Sequence, residues 1–197
     1  MTAKLTVGDI ADLRAYERER DEFRSRIIDL KKRRRVSVGP VVTLVFENRD
    51  TVRFQIQEMA RVEKLISDEA IQTELDIYNP LIPEPGRLCA TLFIELTTDE
   101  ELRTWLPKLV GVERSIELRL DGRLVVTSVP EEEHDKQLTR DAITAAVHYV
   151  RFELGPEEVA ALRTGGAQLA VAHPNYAYAT ELPEPTLEEL RNDVKGG

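Results

Sequence analysis

The sequence predicts an α+β fold: N-terminal helices followed by a mainly antiparallel sheet of about six strands with interspersed short helices. Three observations predict it. Helical patterns come as a block near the front, and strand patterns dominate the rest of the chain. Asp121-Gly122 separates two alternating apolar segments, and that dipeptide is a strong hairpin signal. No strand runs into a glycine-rich loop of the GxGxxG or GxxxxGK[ST] kind, the fingerprint of a nucleotide-binding parallel sheet.

Thr6 followed by Asp9 opens a helical stretch that continues, with one break, to about Arg34. Residues 36–46 are rich in β-branched side chains and read as a strand interrupted at Gly39-Pro40. Asn48-Arg49-Asp50 reads as a turn into a short strand over residues 51–54, and helical periodicity takes over from about 56 to 66. Ser67 with Asp68 and Glu69 caps a further helix to about Tyr78, which Asn79-Pro80 and Pro83-Glu84-Pro85-Gly86 end. Leu88, Ala90, Leu92, Ile94 and Leu96 share a strand face, and Thr98 with Glu101 caps a helix to about Leu109. Strands follow over residues 116–120 and 124–129 around Asp121-Gly122, then an acidic linker over residues 131–140 and a strand over 143–154. Gly155-Pro156 opens a short helix, Gly165-Gly166 closes it, and residues 167–173 form the last strand. Three segments result: a basic N-terminal helical segment (1–35) packing on the body, an α+β body (36–182), and a tail (183–197) with a short helix, all in a single domain.

The 197 residues are 42% apolar and 32% charged, a composition that suits a globular chain able to bury a core. A single Cys excludes an intramolecular disulfide, a cysteine-ligated iron–sulfur cluster and a four-cysteine zinc site. No apolar run approaches the ~18 residues of a membrane span, and the first residues lack a signal-peptide core, so a cytoplasmic location is expected. No GxSxG elbow or HExxH motif is present.

The net charge of −9 is unevenly spread. Residues 1–35 hold 11 Lys/Arg against 7 Asp/Glu, a balance of +4 that leaves −13 on the rest. The positive part peaks at Lys31, Lys32, Arg33, Arg34 and Arg35. Such a run complements a helix dipole. It also makes these five residues the candidates for docking an acidic partner or, as a further alternative, a nucleic acid.

Two histidines interrupt apolar faces. Period-two alternation puts His148 with Val150 and Phe152, and His173 with Leu169 and Val171. If these strands pair with Phe152 opposite Leu169, His148 faces His173 with Cβ atoms ~5 Å apart. In the helix around Met59, the residues Met59, Val62, Leu65 and Ile66 form an apolar arc, with Gln55 inside it and Glu58 and Glu63 at its flanks. Two imidazoles and a carboxylate suit iron, manganese or zinc, so His148, His173, Glu58 and Glu63 are the candidate metal ligands. The structural alternative has the histidines hydrogen-bonded in the core or at its rim and Glu58 paired with Arg61. His134, amid acidic residues, reads as solvated, Cys89 as a buried small residue, and Tyr176 and Tyr178 as a pocket mouth or a cover on the sheet.

The blocks Gln57-Glu58-Met59-Ala60-Arg61-Val62-Glu63, Tyr78-Asn79-Pro80-Leu81-Ile82-Pro83, His148-Tyr149-Val150-Arg151-Phe152-Glu153-Leu154 and His173-Pro174-Asn175-Tyr176 resemble the bacterial domain-of-unknown-function family 3501, in an order that fits residues 5–178. The resemblance implies a redox or peroxide-stress setting beside a rubrerythrin-like or iron–sulfur oxidoreductase-like partner. The lone Cys89 would leave any iron–sulfur cluster to that partner. The absence of every common catalytic motif, together with the segregated charge, leads to the expectation of an accessory or interaction protein of such a pathway, with a small His/Glu metalloprotein as the alternative.

Overall fold

The computed structural model describes residues 3–131 and 143–195. Nearly all of the expected acidic linker, with His134, lies outside the described residues. A 3-10 turn (Val7–Asp9) leads into α1 (Leu13–Arg34), which Asp12 caps by accepting the Ala15 N–H. β1 (Arg35–Val38) and β2 (Val42–Phe46) form a hairpin whose turn includes Gly39 at φ +72°.

The next element differs from the sequence expectation. Residues 51–54 are no strand but the first turns of α2 (Arg49–Glu63). Asn48 Oδ1 accepts the Thr51 N–H at 3.0 Å while Thr51 Oγ1 accepts the Asn48 N–H at 2.9 Å. Reciprocal capping outweighs the weak β preference of Thr51 and Val52. The earlier start also changes the buried face. α2 buries Val52, Ile56, Gln57 and Ala60, whereas Val62 is 70% exposed. Ile66 lies beyond the left-handed Lys64 that ends the helix and is 85% exposed. The expected apolar arc assumed a helical phase that stops at residue 63.

α3 (Asp68–Tyr78) is capped by Ser67 and followed by a 3-10 turn (Asn79–Leu81) and β3 (Arg87–Ile94). Thr98 and Glu101 cap α4 (Asp99–Trp105), shorter than expected. Then come a 3-10 turn (Val112–Arg114), β4 (Ile116–Leu120), β5 (Leu124–Thr127), β6 (Val129–Pro130), β7 (Val147–Glu153), α5 (Pro156–Thr164), β8 (Ala167–His173), β9 (Tyr176–Glu181) and α6 (Glu184–Asp193).

The α+β class holds, but the strands form two antiparallel sheets, β1-β2-β3-β7-β6 and β5-β4-β8-β9. β7 pairs with β3, putting Leu92 opposite His148, and β8 pairs with β4 and β9. The assumed pairing of β7 with β8 is therefore corrected: the chain through α5 carries it from one sheet to the other. Ser128, between β5 and β6, marks another change of sheet. Its N–H donates to Ile116 O, and its hydroxyl accepts the Ile116 N–H and donates to Glu113 O.

The facing sheet surfaces share one core. Leu44, Phe46, Leu92 and Phe152 from the first sheet belong to it with Leu118, Leu120, Leu169 and Val171 from the second. Leu187 and Leu190 of α6 join this core, so the C-terminal helix is packed structure. A second core lies on the outer side of the five-stranded sheet, where Val52, Ile56, Leu75, Tyr78 and Ile82 gather with Tyr149 packed against them. α1 completes this helical layer through Tyr16, Phe23 and Ile27. No described helix is long and apolar enough to cross a membrane.

Candidate functional site

Strand alternation gives the five-stranded sheet two different faces. Leu88, Ala90, Leu92, Val150 and Phe152 point into the sandwich core, so Cys89, Thr91, Phe93, Val147 and Tyr149 point outward beneath the helices. Thr91 and Tyr149 are direct cross-strand neighbours, as are Phe93 and Val147. Between this face and the helical layer lies a cavity of ≈ 250 Å³, lined by Glu47, Thr91, Phe93, Val147 and Tyr149 from the sheet side and by Lys31, Val52, Gln55, Tyr78 and Leu81 from the helical side. Larger depressions of ≈ 460 and ≈ 550 Å³, beside Asp121-Gly122 and around Asn79 and Arg87, are open surface features.

Glu47 gives this cavity its chemistry. It follows β2 directly, its N–H donates to Cys89 O at 2.8 Å, and the residue is 8% exposed. Thr91 Oγ1 donates to Oε1 at 2.6 Å, and Thr51 Oγ1 donates to Oε2. No cation pairs with this carboxylate among the described residues. A buried carboxylate with two hydroxyl donors and no cation is only partly compensated for the water it has lost.

Two tyrosines stand on the wall, Tyr78 and Tyr149, edge to face with ring centroids 6.5 Å apart. Burial, followed by the neighbouring Tyr78 and Glu47, pushes the Tyr149 hydroxyl up to about 12. Burial also raises Tyr78. Both phenols keep their protons at neutral pH and can donate hydrogen bonds.

The residues singled out from the sequence are distributed differently. His148 lies in β7 on the sandwich side, where its Nε2 contacts Thr144 Oγ1 at 2.8 Å and Ala145 O at 2.9 Å. His173 lies in the second sheet. Its Nδ1 accepts the Asn175 N–H at 3.2 Å, so Nε2 carries the proton and donates to Val110 O at 3.0 Å. Glu58 faces α1, accepting from Tyr16 Oη at 2.7 Å and from Arg20 Nε and Nη2 at 2.8 and 3.0 Å. Arg20 accordingly holds its carboxyl below the usual range against the opposing effect of burial. Its partner is therefore Arg20; Arg61 binds Glu17 instead. Glu63 is exposed at the end of α2. No group of three His, Cys, Asp or Glu side chains among the described residues is placed to hold a metal ion.

Most of the basic run is engaged within the protein. Lys32 pairs with Asp29, Arg33 with Glu189, and Arg35 with Glu95. Arg34 is buried against Glu189 and Asp193. Lys31 is half-buried, lies 5.8 Å from the Phe54 ring centroid, and lines the cavity.

Sequence reasoning missed Glu47, Thr91, Tyr78 and Tyr149 as a set. It singled out Gln55 as polar within an apolar arc, and that residue does line the cavity. The missing signal was the apolar Cys89 and Phe93 on the face opposite the core, which show that this sheet is covered on both sides.

The family described as protein of unknown function (DUF3501) matches residues 4–194. A crystal structure of a protein of unknown function from Burkholderia pseudomallei is 37% identical to this chain. The similarity covers 98% of this chain and 100% of that one, with a TM-score of 0.90. No curated protein matches the chain. Tyr78 and Tyr149, both on the cavity wall, lie within two of the sequence blocks that resemble this family. The chain belongs to the DUF3501 family.

Proposed function

We propose that this protein is an accessory protein that binds a small organic ligand in the Glu47 cavity. The observation that carries this reading is a buried carboxylate without a cationic partner among the described residues, on the wall of a cavity that also presents two protonated tyrosines. Ligand pockets combine an apolar lining with a few convergent polar groups, as this one does. At ≈ 250 Å³ the cavity falls below the roughly 300–1,000 Å³ of sites for drug-sized ligands, which favours a smaller occupant.

A fragment screen by protein-observed NMR tests the reading. Bound fragments are expected to shift the signals of Thr91, Tyr149 and Gln55. Fragments that bind only elsewhere, or none that bind, would overturn it.

A redox setting would enter through a partner. Cys89 is buried, its Sγ lies 3.8 Å from Pro80 O, and burial pushes its thiol up to about 12, so it is a poor nucleophile at neutral pH. A rubrerythrin-like or iron–sulfur oxidoreductase-like partner would bring its own cofactor. Titrating purified partner into this protein by calorimetry tests that role, and heat no greater than dilution would exclude it.

A further inference from the structure

The charges around the cavity define its occupant more closely. Glu47 is fixed at its backbone by Cys89 and at each carboxylate oxygen by one hydroxyl. An ionised carboxylate offers about four acceptor positions, so roughly two remain after Thr51 and Thr91 have donated. The Arg34 guanidinium comes no closer to this residue than its backbone, with Nη1 3.5 Å from Glu47 O, and gives its short bonds to Asp193 and Glu189. Arg34 therefore supplies the Glu47 carboxylate with no counter-charge.

Lys31 carries the opposite deficit. Its four neighbours in the basic run each have a carboxylate partner. Lys31 has none among the described residues, although it is half-buried and lines the same cavity. Lys31 and Glu47 do not pair with each other. Glu47 and Lys31 thus line one small cavity, each without an ionic partner among the described residues, with Phe93, Tyr78 and Tyr149 also in its lining. Aromatic faces attract cations and cover hydrocarbon.

Building on the reading of this cavity as a ligand site, we infer that its occupant is a small zwitterion of amino-acid size. Its protonated amine sits at Glu47, its anionic group meets Lys31, and its apolar body packs on the aromatic wall. One such molecule supplies both missing counter-charges. A ligand with a single charge leaves one of them unmet.

The test uses matched probes on the full chain by titration calorimetry. One series is 5-aminopentanoate, pentylamine and pentanoate; the other is phenylalanine, phenethylamine and 3-phenylpropionate. In at least one series the zwitterion is expected to bind at least tenfold more tightly than either singly charged analogue. Glu47→Gln should remove its advantage over the carboxylate, and Lys31→Met its advantage over the amine, with thermal melting confirming that both variants fold. A singly charged analogue binding as tightly as the zwitterion in both series overturns the inference while leaving the ligand site standing. If no probe binds and the Thr91 and Tyr149 signals stay unmoved in the fragment screen as well, both readings fall.

Discussion

The carboxylate of Asp193 meets the guanidinium of Arg34 edge to edge, Nη1 to Oδ2 at 2.8 Å and Nη2 to Oδ1 at 2.9 Å. Glu189 closes the second edge, its Oε2 accepting from Nη2 at 2.9 Å and from Nε at 3.2 Å. Arg34 is 1% exposed, and its Nη1 also lies 3.5 Å from the Phe46 and Glu47 carbonyls. One side chain therefore fastens the end of α1, the end of β2 and the C-terminal helix. Arg34→Ala would leave the Asp193 carboxylate without its cation and Glu189 with Arg33 alone, and should destabilise the fold by about 3–5 kcal/mol in urea titration. Arg34→Lys should recover little, because an ammonium cannot reproduce the two-edged contact. Parent-like stability in either variant would refute this account.

The two sheets are tied at another point by a single hydroxyl. Tyr176 Oη donates to Val38 O at 2.6 Å and accepts the N–H groups of Val41 and Val42 at 3.1 and 3.2 Å. Tyr176→Phe strands these buried backbone groups and should cost about 1–3 kcal/mol. Gly39→Ala should be worse tolerated than a surface change. Its Cβ would lie 2.5 Å from Tyr176 Oη and from the Tyr178 ring, at a φ of +72° that alanine disfavours. Chemical denaturation of both variants is the measurement.

Acid should loosen the N-terminal segment through Asp9. The Thr6 N–H, the Arg49 guanidinium and the Thr6 hydroxyl hold its carboxyl at about 2, below the usual 3.8. A depressed folded-state value stabilises the fold above the unfolded one, and that contribution fades as pH falls from about 4 to about 2. Asp9→Asn should therefore be less stable than the parent at pH 6, and the gap should close by pH 2. A gap that stays constant across this range would exclude the linkage.

The histidines should act through loops. His173 Nε2 holds Val110 O, while its Nδ1 holds the Asn175 N–H. His173→Ala should cost about 1–3 kcal/mol and speed hydrogen exchange at Asn175. Elemental analysis should give the same metal content for His148→Ala, His173→Ala and the parent. A stoichiometric transition metal lost in both variants would restore a metal centre.

Local chemistry made much of the fold legible: the caps at Ser67 and Thr98, the turn at Asp121-Gly122 and the breaks at Gly39-Pro40 and Gly165-Gly166 all mark element ends. β9 was not expected. Its residues are mostly exposed, and its Tyr-Ala-Tyr-Ala alternation offers little apolar contrast. The pairing of β7 was also out of reach, because both faces of the five-stranded sheet are covered and the apolar stripe containing His148 suits more than one partner. The cavity was hidden for a related reason. Glu47, Thr91 and Tyr149 alternate away from the stripe that marks the core, and only tertiary packing shows that helices cover them.

The chain's passage from one sheet to the other at Ser128 bears on self-association. β6 is only two residues long and ends in Pro130, whose nitrogen has no hydrogen to offer another strand. A short, proline-bearing rim is a poor template for an incoming chain. β6 itself therefore offers little to edge-to-edge association, a consequence of the path of the backbone.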